Sequence, residues 1–265
     1  MTVSILGIAT CIPDDLAPPS HFDDFARKWA RSSAALEKTL VINRRTGIDH
    51  RPTLNLATAP LLNRPTPAPI QDICAAFLSS GVALAITASE RAIADWGGDK
   101  GSITHLICTT CTGSSHPGYD LFLHQALGLG SHVERTLIHG IGCAGGLSIV
   151  RLARNIAIAS SAQGKRARIL CVALEVVSSL LRTELAALDM EDEKPNVAST
   201  IFSDASSAKV VGSDMEESEE SSFDILDCVA ETVQSTERDL RFDIHESGWR
   251  AIISPHVPSV TSSAV

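Results

Sequence analysis

Residues 136–156, TLIHGIGCAGGLSIVRLARNI, constrain the fold more than any other stretch of the 265-residue chain. They read as a short apolar strand, a glycine-dense turn carrying one cysteine, and a helix. Leu147, Val150, Ala153 and Ile156 recur at helical spacing, with Ser148, Arg151, Arg154 and Asn155 on other faces, so the helix has one side to bury. Cys143 falls where strand hands over to helix. Backbone N–H groups without partners and the positive end of the helix dipole meet there, and both favour a thiolate and steady a developing oxyanion. Gly142, Gly145 and Gly146 allow a tight turn and leave the sulfur approachable. Cys143 is a candidate nucleophile; the alternative is a buried, inert thiol, the commoner state of a free cysteine.

Composition sets the outer bounds. With 44% hydrophobic residues and a mean hydropathy of +0.13, the chain can bury a sizeable core, as one large domain or two modest ones. A net charge of −9 and a pI near 5.4 argue against a nucleic-acid binder, so a polyanionic ligand must meet a local basic cluster. No apolar run approaches the roughly 18 residues of a membrane span, which predicts no membrane partner. The N-terminus MTVSILGIATCIPDD lacks a basic n-region and reads as a strand. Seven cysteines scattered through apolar segments fit free thiols in a reducing cytosol, and the expected location is cytoplasmic.

In chain order, residues 3–10 read as a buried strand and 20–40 as a helix, with Ser20 as cap and Phe22, Phe25, Trp29 and Leu36 among its apolar positions. VINRRTGIDHR, residues 41–51, is either a solvated basic turn or an anion site. Residues 52–69 form a loop. Residues 72–96 read as one long helix with Leu78, Val82, Ala85, Ser89, Ala92 and Trp96 down one side, stopped by Gly97 and Gly98. A buried strand follows at 104–110. Cys108 and Cys111 form a CxxC, but no second Cys/His pair follows and residues three apart in a strand face opposite ways, so no metal is expected. Residues 118–127 read as a short helix, 167–174 as a buried strand and 178–188 as irregular. MEESEESS, residues 215–222, reads as a solvated acidic link, with strands at 223–233 and 249–255.

The run GIGCAGGLSIVRLA resembles the nucleophile segment of type III polyketide synthases, the chalcone and stilbene synthase family, in the form seen in fungal and bacterial members. The resemblance covers nearly all the chain. It implies an α/β, thiolase-like fold with the N-terminal half complete in residues 1–222 and only the start of the C-terminal half in 223–265. Lys38 and Arg45 match positions where the family holds the phosphates of coenzyme A at the mouth of a tunnel. Val41 stands where relatives can carry a third basic residue, with Arg44 as a substitute. CTGSSHPGYD resembles the loop that lines the active site and crosses the dimer contact. Cys111 would then line the pocket, and His116 stands where relatives reach into the neighbouring subunit's cavity, so a homodimer is implied. Glu175 takes the place of a structural glutamate. TIFSDASSAKVVGSD resembles the family's phenylalanine, glycine, aspartate, glycine turn, with Phe202 at the gatekeeper position and Ser203 and Ala205 replacing glycines. Without the family, Phe202 reads as an ordinary core aromatic. ESGWRAIISPHVPSV resembles the family's hairpin and the opening of its next helix.

The activity implied by the resemblance is acyl transfer in polyketide biosynthesis. The Cys143 thiolate takes an acyl group from a starter acyl-CoA, and malonyl-CoA is decarboxylated to extend it. No metal or organic cofactor is required, since coenzyme A arrives as part of the substrate. The family's activating histidine and asparagine belong to its second half, and none of the nine histidines here lies in a matching segment. The expectation is a C-terminally truncated chain, and the rival reading is a catalytically incompetent pseudoenzyme or partner subunit. A ketoacyl synthase of fatty-acid type shares a cysteine at the same hinge, but GCAGG and SPHVP favour the polyketide family.

Overall fold

The computed structural model describes residues 2–188, 194–216, 219–246 and 248–263. The chain opens with β1 (Val3–Cys11), β2 (Leu16–Ala17), α1 (Pro19–Trp29) and α2 (Ala34–Asn43), then β3 (Arg51–Pro52) and α3 (Ile70–Ala76). A π-helical turn, Phe77–Gly81, leads to α4 (Val82–Trp96), β4 (His105–Thr110) and α5 (Tyr119–Ala126). Next come β5 (Glu134–His139), α6 (Gly145–Ala162), β6 (Arg168–Glu175), α7 (Leu181–Ala187) and α8 (Ala198–Ile201). The last elements are β7 (Ala205–Ser213), β8 (Phe223–Asp224), β9 (Leu240–His245), β10 (Gly248–Ile253) and α9 (Val257–Ser263). Two compact units are formed, one from Met1–Ile12, Phe77–Glu175 and Ala205–Val229, the other from Pro13–Ala76, Val176–Asp204 and Ala230–Val265.

The first unit is built on a six-stranded sheet in the order β5, β4, β6, β7, β1, β8. β5, β4 and β6 run parallel, and β7, β1 and β8 continue the sheet in antiparallel pairs. β4 is buried over Leu106 to Thr110, as expected of a strand covered on both faces, which is why HLICTT lacks polar alternation. α6 lays Ile149, Ala153 and Ala157 against Ile107, Ile169, Cys171 and Val211. Of the expected stripe, Val150 and Ala153 are buried and Ile156 packs against the same cluster, whereas Leu147 is 78% exposed, because the helix starts on Gly145 and turns its 145, 149, 153 face inward.

α4 packs on β1 and β7, with Ala85, Ala88, Ser89 and Ala92 sealed. Small side chains are needed because the backbones come close: a Cβ on Gly7 of β1 would lie 2.3 Å from the Ala92 carbonyl oxygen. The continuous helical run Ile70–Trp96 has a mean hydropathy of 1.6 in its most apolar 18-residue window, long and apolar enough to cross a membrane by length and composition. That corrects the expectation that no run approaches this length; 28% of that window is buried, and α4 seals its small-residue face against the sheet. The π-helical turn also breaks the single stripe read from sequence. It turns Phe77 inward, edge-on to Tyr119 with ring centroids 5.9 Å apart, and leaves Leu78 half-buried.

Two further expectations change in this unit. The acidic stretch at 215–222 is more than a solvated link, since the Glu219 side chain is 7% exposed, pairs with the sealed Arg168 and accepts the Trp96 indole N–H at 2.9 Å. The expected strand at 223–233 shrinks to Phe223–Asp224, and beyond the Asp224 carboxylate, which accepts the Ser4 hydroxyl at 2.7 Å, Leu226 and Val229 are exposed.

In the second unit the single helix expected at 20–40 is two. α1 starts at Pro19, where a missing N–H costs nothing, and Ser33 caps α2 by accepting the Leu36 N–H at 3.1 Å. Phe22, Phe25, Leu36, Leu40, Leu181 and Leu185 share one core. Residues 178–188 are more regular than expected, a 3₁₀ turn followed by α7. β9, unrecognised in the sequence, pairs with β10 as the resembled hairpin, and α9 follows. Trp249 is sealed there, stacked on Phe242 and packed with Ile73 and Leu180.

Candidate active site

β5 ends at His139, and the chain reverses through Gly140 and Gly142, whose φ angles of +79° and +69° lie in the left-handed region that glycine alone enters without strain. A 3₁₀ turn, Gly142–Ala144, carries Cys143 directly onto the first residue of α6. Ala144, the N-cap, makes no side-chain capping bond, and the Gly145 N–H that opens α6 is taken by the Gly142 carbonyl, so the sulfur sits at the positive end of the helix dipole. Cys143 is the exposed cysteine among the seven. Gly145 is held to its size by Thr109, whereas a Cβ on Gly146 would meet nothing within 4 Å, so only part of the expected glycine requirement is steric.

The floor beside this turn is the segment after β4, organised by the carboxylate of Glu175 at the end of β6. Glu175 accepts the backbone N–H of Cys111 at 2.7 Å, that of Thr112 at 3.0 Å and the Thr112 hydroxyl at 2.7 Å. Burial pushes its carboxyl up from the ordinary range, opposed by these donors. Cys111 is half-buried; burial first, then the neighbouring Glu175 carboxylate, push its thiol up to about 12. Cys171 is likewise held at about 12 by burial and Cys108 well above its ordinary value, both sealed inside the sheet core. The Tyr119 hydroxyl braces two strands, 3.0 Å from Thr109 O and 2.9 Å from Val172 O, and a His139 ring nitrogen lies 3.1 Å from Gly113 O. His116 is exposed on the loop before α5.

In the second unit, Lys38 lies on the exposed face of α2 and Arg45 is exposed in the turn after it. Arg44 is committed elsewhere, its guanidinium 2.6 Å from the buried Asp23 carboxylate. Phe202 is half-buried after α8, with its carbonyl 3.4 Å from the sealed Arg51, which also donates to Ser199 O at 2.6 Å and stacks on the Phe22 ring. Asp204 accepts N–H groups of Ser178 at 2.7 Å and Leu54 at 2.9 Å. Burial raises its carboxyl to about 6 in spite of those donors. Ser203 and Ala205 need none of the freedom of the glycines they replace: among the described residues, non-glycine positive φ angles occur at Asp214 and Ser235. A cleft of about 370 Å³ in this unit is lined by Asp15, His21, Lys28 and Asn55, and takes none of the candidate residues.

Chalcone and stilbene synthases, N-terminal domain, is the family description that matches residues 4–215. The chain belongs to this family. An acylalkylpyrone synthase of Aspergillus oryzae is 39% identical over 268 residues, which take in 100% of this chain and 67% of the relative. A type III polyketide synthase of Penicillium soppii is 32% identical, over 98% of this chain and 67% of the relative. A solved type III pentaketide synthase from Neurospora crassa superposes with a TM-score of 0.95 at 35% identity, covering 99% of this chain and 69% of that one. A structure of CsyB complexed with coenzyme A gives 0.95 at 38% identity, covering 99% and 70%. The fold is therefore thiolase-like, and this type III polyketide synthase chain spans about two thirds of the length of its relatives.

Of the residues singled out from the sequence of this synthase, Cys143 and Cys111 come together in the first unit, with His116 on the loop that follows Cys111. Lys38, Arg45 and Phe202 belong to the second unit. Sequence reasoning gave Glu175 a place but no donors, set Arg51 at the end of a basic run without its burial, and passed over Tyr119. An arginine before a proline and a single tyrosine carry no periodic signal.

Proposed function

We propose that Cys143 is the acyl-carrying nucleophile of a condensing enzyme that takes a starter acyl-CoA and extends it with malonyl-CoA. The observation that carries this reading is the one exposed thiol of the chain, held on a glycine reversal at the uncapped start of α6. The Cys143 thiolate adds to the thioester carbonyl, the oxyanion develops at the positive end of the α6 dipole, and coenzyme A leaves as a thiolate that takes up a proton. Decarboxylation of malonyl-CoA releases carbon dioxide and a carbon nucleophile, which attacks the Cys143 thioester and returns the thiolate. Lys38 and Arg45 bind the phosphates of coenzyme A, Phe202 separates its tunnel from the cavity, and Cys111 lines the cavity wall. His116 projects toward a second subunit of a homodimer. Residues 1–222 form the half that carries the nucleophile, and 223–265 begin the next. This chemistry calls for no metal or organic cofactor, coenzyme A arriving with the substrate, and we place it in the cytoplasm.

Incubating the full chain with a panel of acyl-CoA starters and measuring intact mass tests the first step. The expected result is one acyl adduct, mapped to Cys143 and absent from Cys143→Ala, with labelled malonyl-CoA then giving an extended product. A folded chain that takes no acyl group from any starter overturns the reading.

A further inference from the structure

Four independent placements press the turn at 140–145 onto the segment at 109–113. β4 and β5 are parallel neighbours with Thr110 opposite His139. A His139 ring nitrogen lies 3.1 Å from Gly113 O. A Cβ on Gly145 would sit 2.5 Å from Thr109 Oγ1. The Cys111 and Cys143 sulfurs lie close enough to interact electrostatically. Cys111 is one residue past the β4 end of this ladder, and Cys143 is one residue past Gly142, so the two cysteines stand on facing segments.

We propose that Cys111 and Cys143 are a peroxide-responsive pair, in which Cys143, once oxidised, is captured by Cys111 as a reversible disulfide within the chain. The roles follow from exposure. Cys143 is open to solvent and meets the oxidant first, while Cys111 is half-buried beside the Glu175 carboxylate, which accepts its backbone N–H at 2.7 Å. In the first step the Cys143 thiolate attacks a peroxide oxygen, the O–O bond breaks, sulfur is oxidised to the sulfenic acid and hydroxide leaves. In the second, Glu175 takes the Cys111 proton, the Cys111 sulfur attacks Cys143 Sγ, and the displaced hydroxide takes up a proton as water. Two thiols and one peroxide thus give one disulfide and two waters. Cys111 is held protonated until an electrophilic sulfur stands before it, which keeps it from competing for peroxide. The pair forms when Cys143 carries no acyl group, since only the free thiolate can attack the peroxide. Its consequence is that the thiol is withdrawn from further oxidation and recoverable by reduction.

The test treats the full chain with stoichiometric hydrogen peroxide and maps peptides without reduction. A Cys111–Cys143 linked peptide that dithiothreitol releases is the expected result. In Cys111→Ser, Cys143 should pass on to the sulfinic acid, accumulating roughly tenfold more of it than the parent chain, since no resolving thiol intercepts the sulfenic acid. Glu175→Gln keeps both thiols and should slow disulfide formation, which covers a poorly folding Cys111→Ser. Cys143 found as sulfinic acid beside a free Cys111 in the parent chain overturns the proposal, as does a disulfide to another cysteine or another copy. Oxidation of Cys111 at an unchanged rate in Cys143→Ser overturns the order of events.

Discussion

Replacing Glu219 by Gln should destabilise the first unit by about 2 kcal/mol at neutral pH, and the gap should close in acid. Arg168 is sealed, donating to Glu219, to Ser213 O at 2.7 Å and to Ala167 O at 2.9 Å. Burial opposes ionisation of Glu219, but the Arg168 guanidinium, the Glu216 N–H and the Trp96 indole outweigh it and hold the carboxyl at about 2, against an ordinary 4.5. At about 1.4 kcal/mol per pKa unit this caps the contribution near 3 kcal/mol, and water beside the exposed Glu216 and Glu220 screens it to about 2. Because the folded value is depressed, the stabilisation is present above 4.5 and is lost as pH falls toward 2. Glutamine keeps the shape but leaves Arg168 buried without its counter-ion. Urea unfolding followed by the fluorescence of Trp96, with Trp29 and Trp249 replaced by Phe in both proteins, at pH 7 and near pH 3.5 is the assay, with the difference between parent and variant shrinking by about 1 kcal/mol in the acid. A variant within about 0.5 kcal/mol of the parent at pH 7, or a gap that widens in acid, refutes the reasoning.

Gly7→Ala should cost about 2 to 3 kcal/mol, because its methyl group meets the Ala92 carbonyl oxygen and the Trp96 N–H, backbone atoms that yield only if α4 lifts off the sheet; thermal unfolding checks it. Asp204 should show the opposite pH sign to Glu219. Its folded value near 6 is raised from 3.8, so its ionisation costs about 3 kcal/mol, and stability present below 3.8 is lost as pH rises through 6. Parent stability should therefore fall by that amount relative to Asp204→Asn between about pH 3.5 and 7, and parallel profiles would rule this out. Lys38→Ala and Arg45→Ala should each weaken coenzyme A binding by roughly tenfold in calorimetry. Arg44→Ala, which breaks the ion pair with Asp23, should lower stability and leave that affinity unchanged.

What the sequence made legible is what repeats along it or forces a backbone dihedral. The hinge at Cys143 was readable because the left-handed residues at 140 and 142 must be glycine and a helical pattern follows at once. The buried strands at 105–110 and 168–175 were readable because a strand covered on both faces shows an unbroken apolar run. The hidden parts are non-local. A π-helical turn inserts one residue into the α3 to α4 stripe, so every position before it lands on a different face from the one that 3.6 residues per turn predicts. Glu219 sits in an acidic run whose composition says solvent, and only the arginine fifty-one positions upstream pulls it inside. β9 alternates charged and apolar residues too briefly to separate it from loop, and is a strand because β10 pairs with it. The same division runs through the candidate site. The nucleophile is announced by its own neighbours, whereas Glu175, which holds the segment that faces it, acts through donors more than sixty residues away. A resemblance that quotes contiguous motifs therefore finds the sulfur, and the groups that decide its environment emerge only from the sheet that brings β4, β5 and β6 side by side.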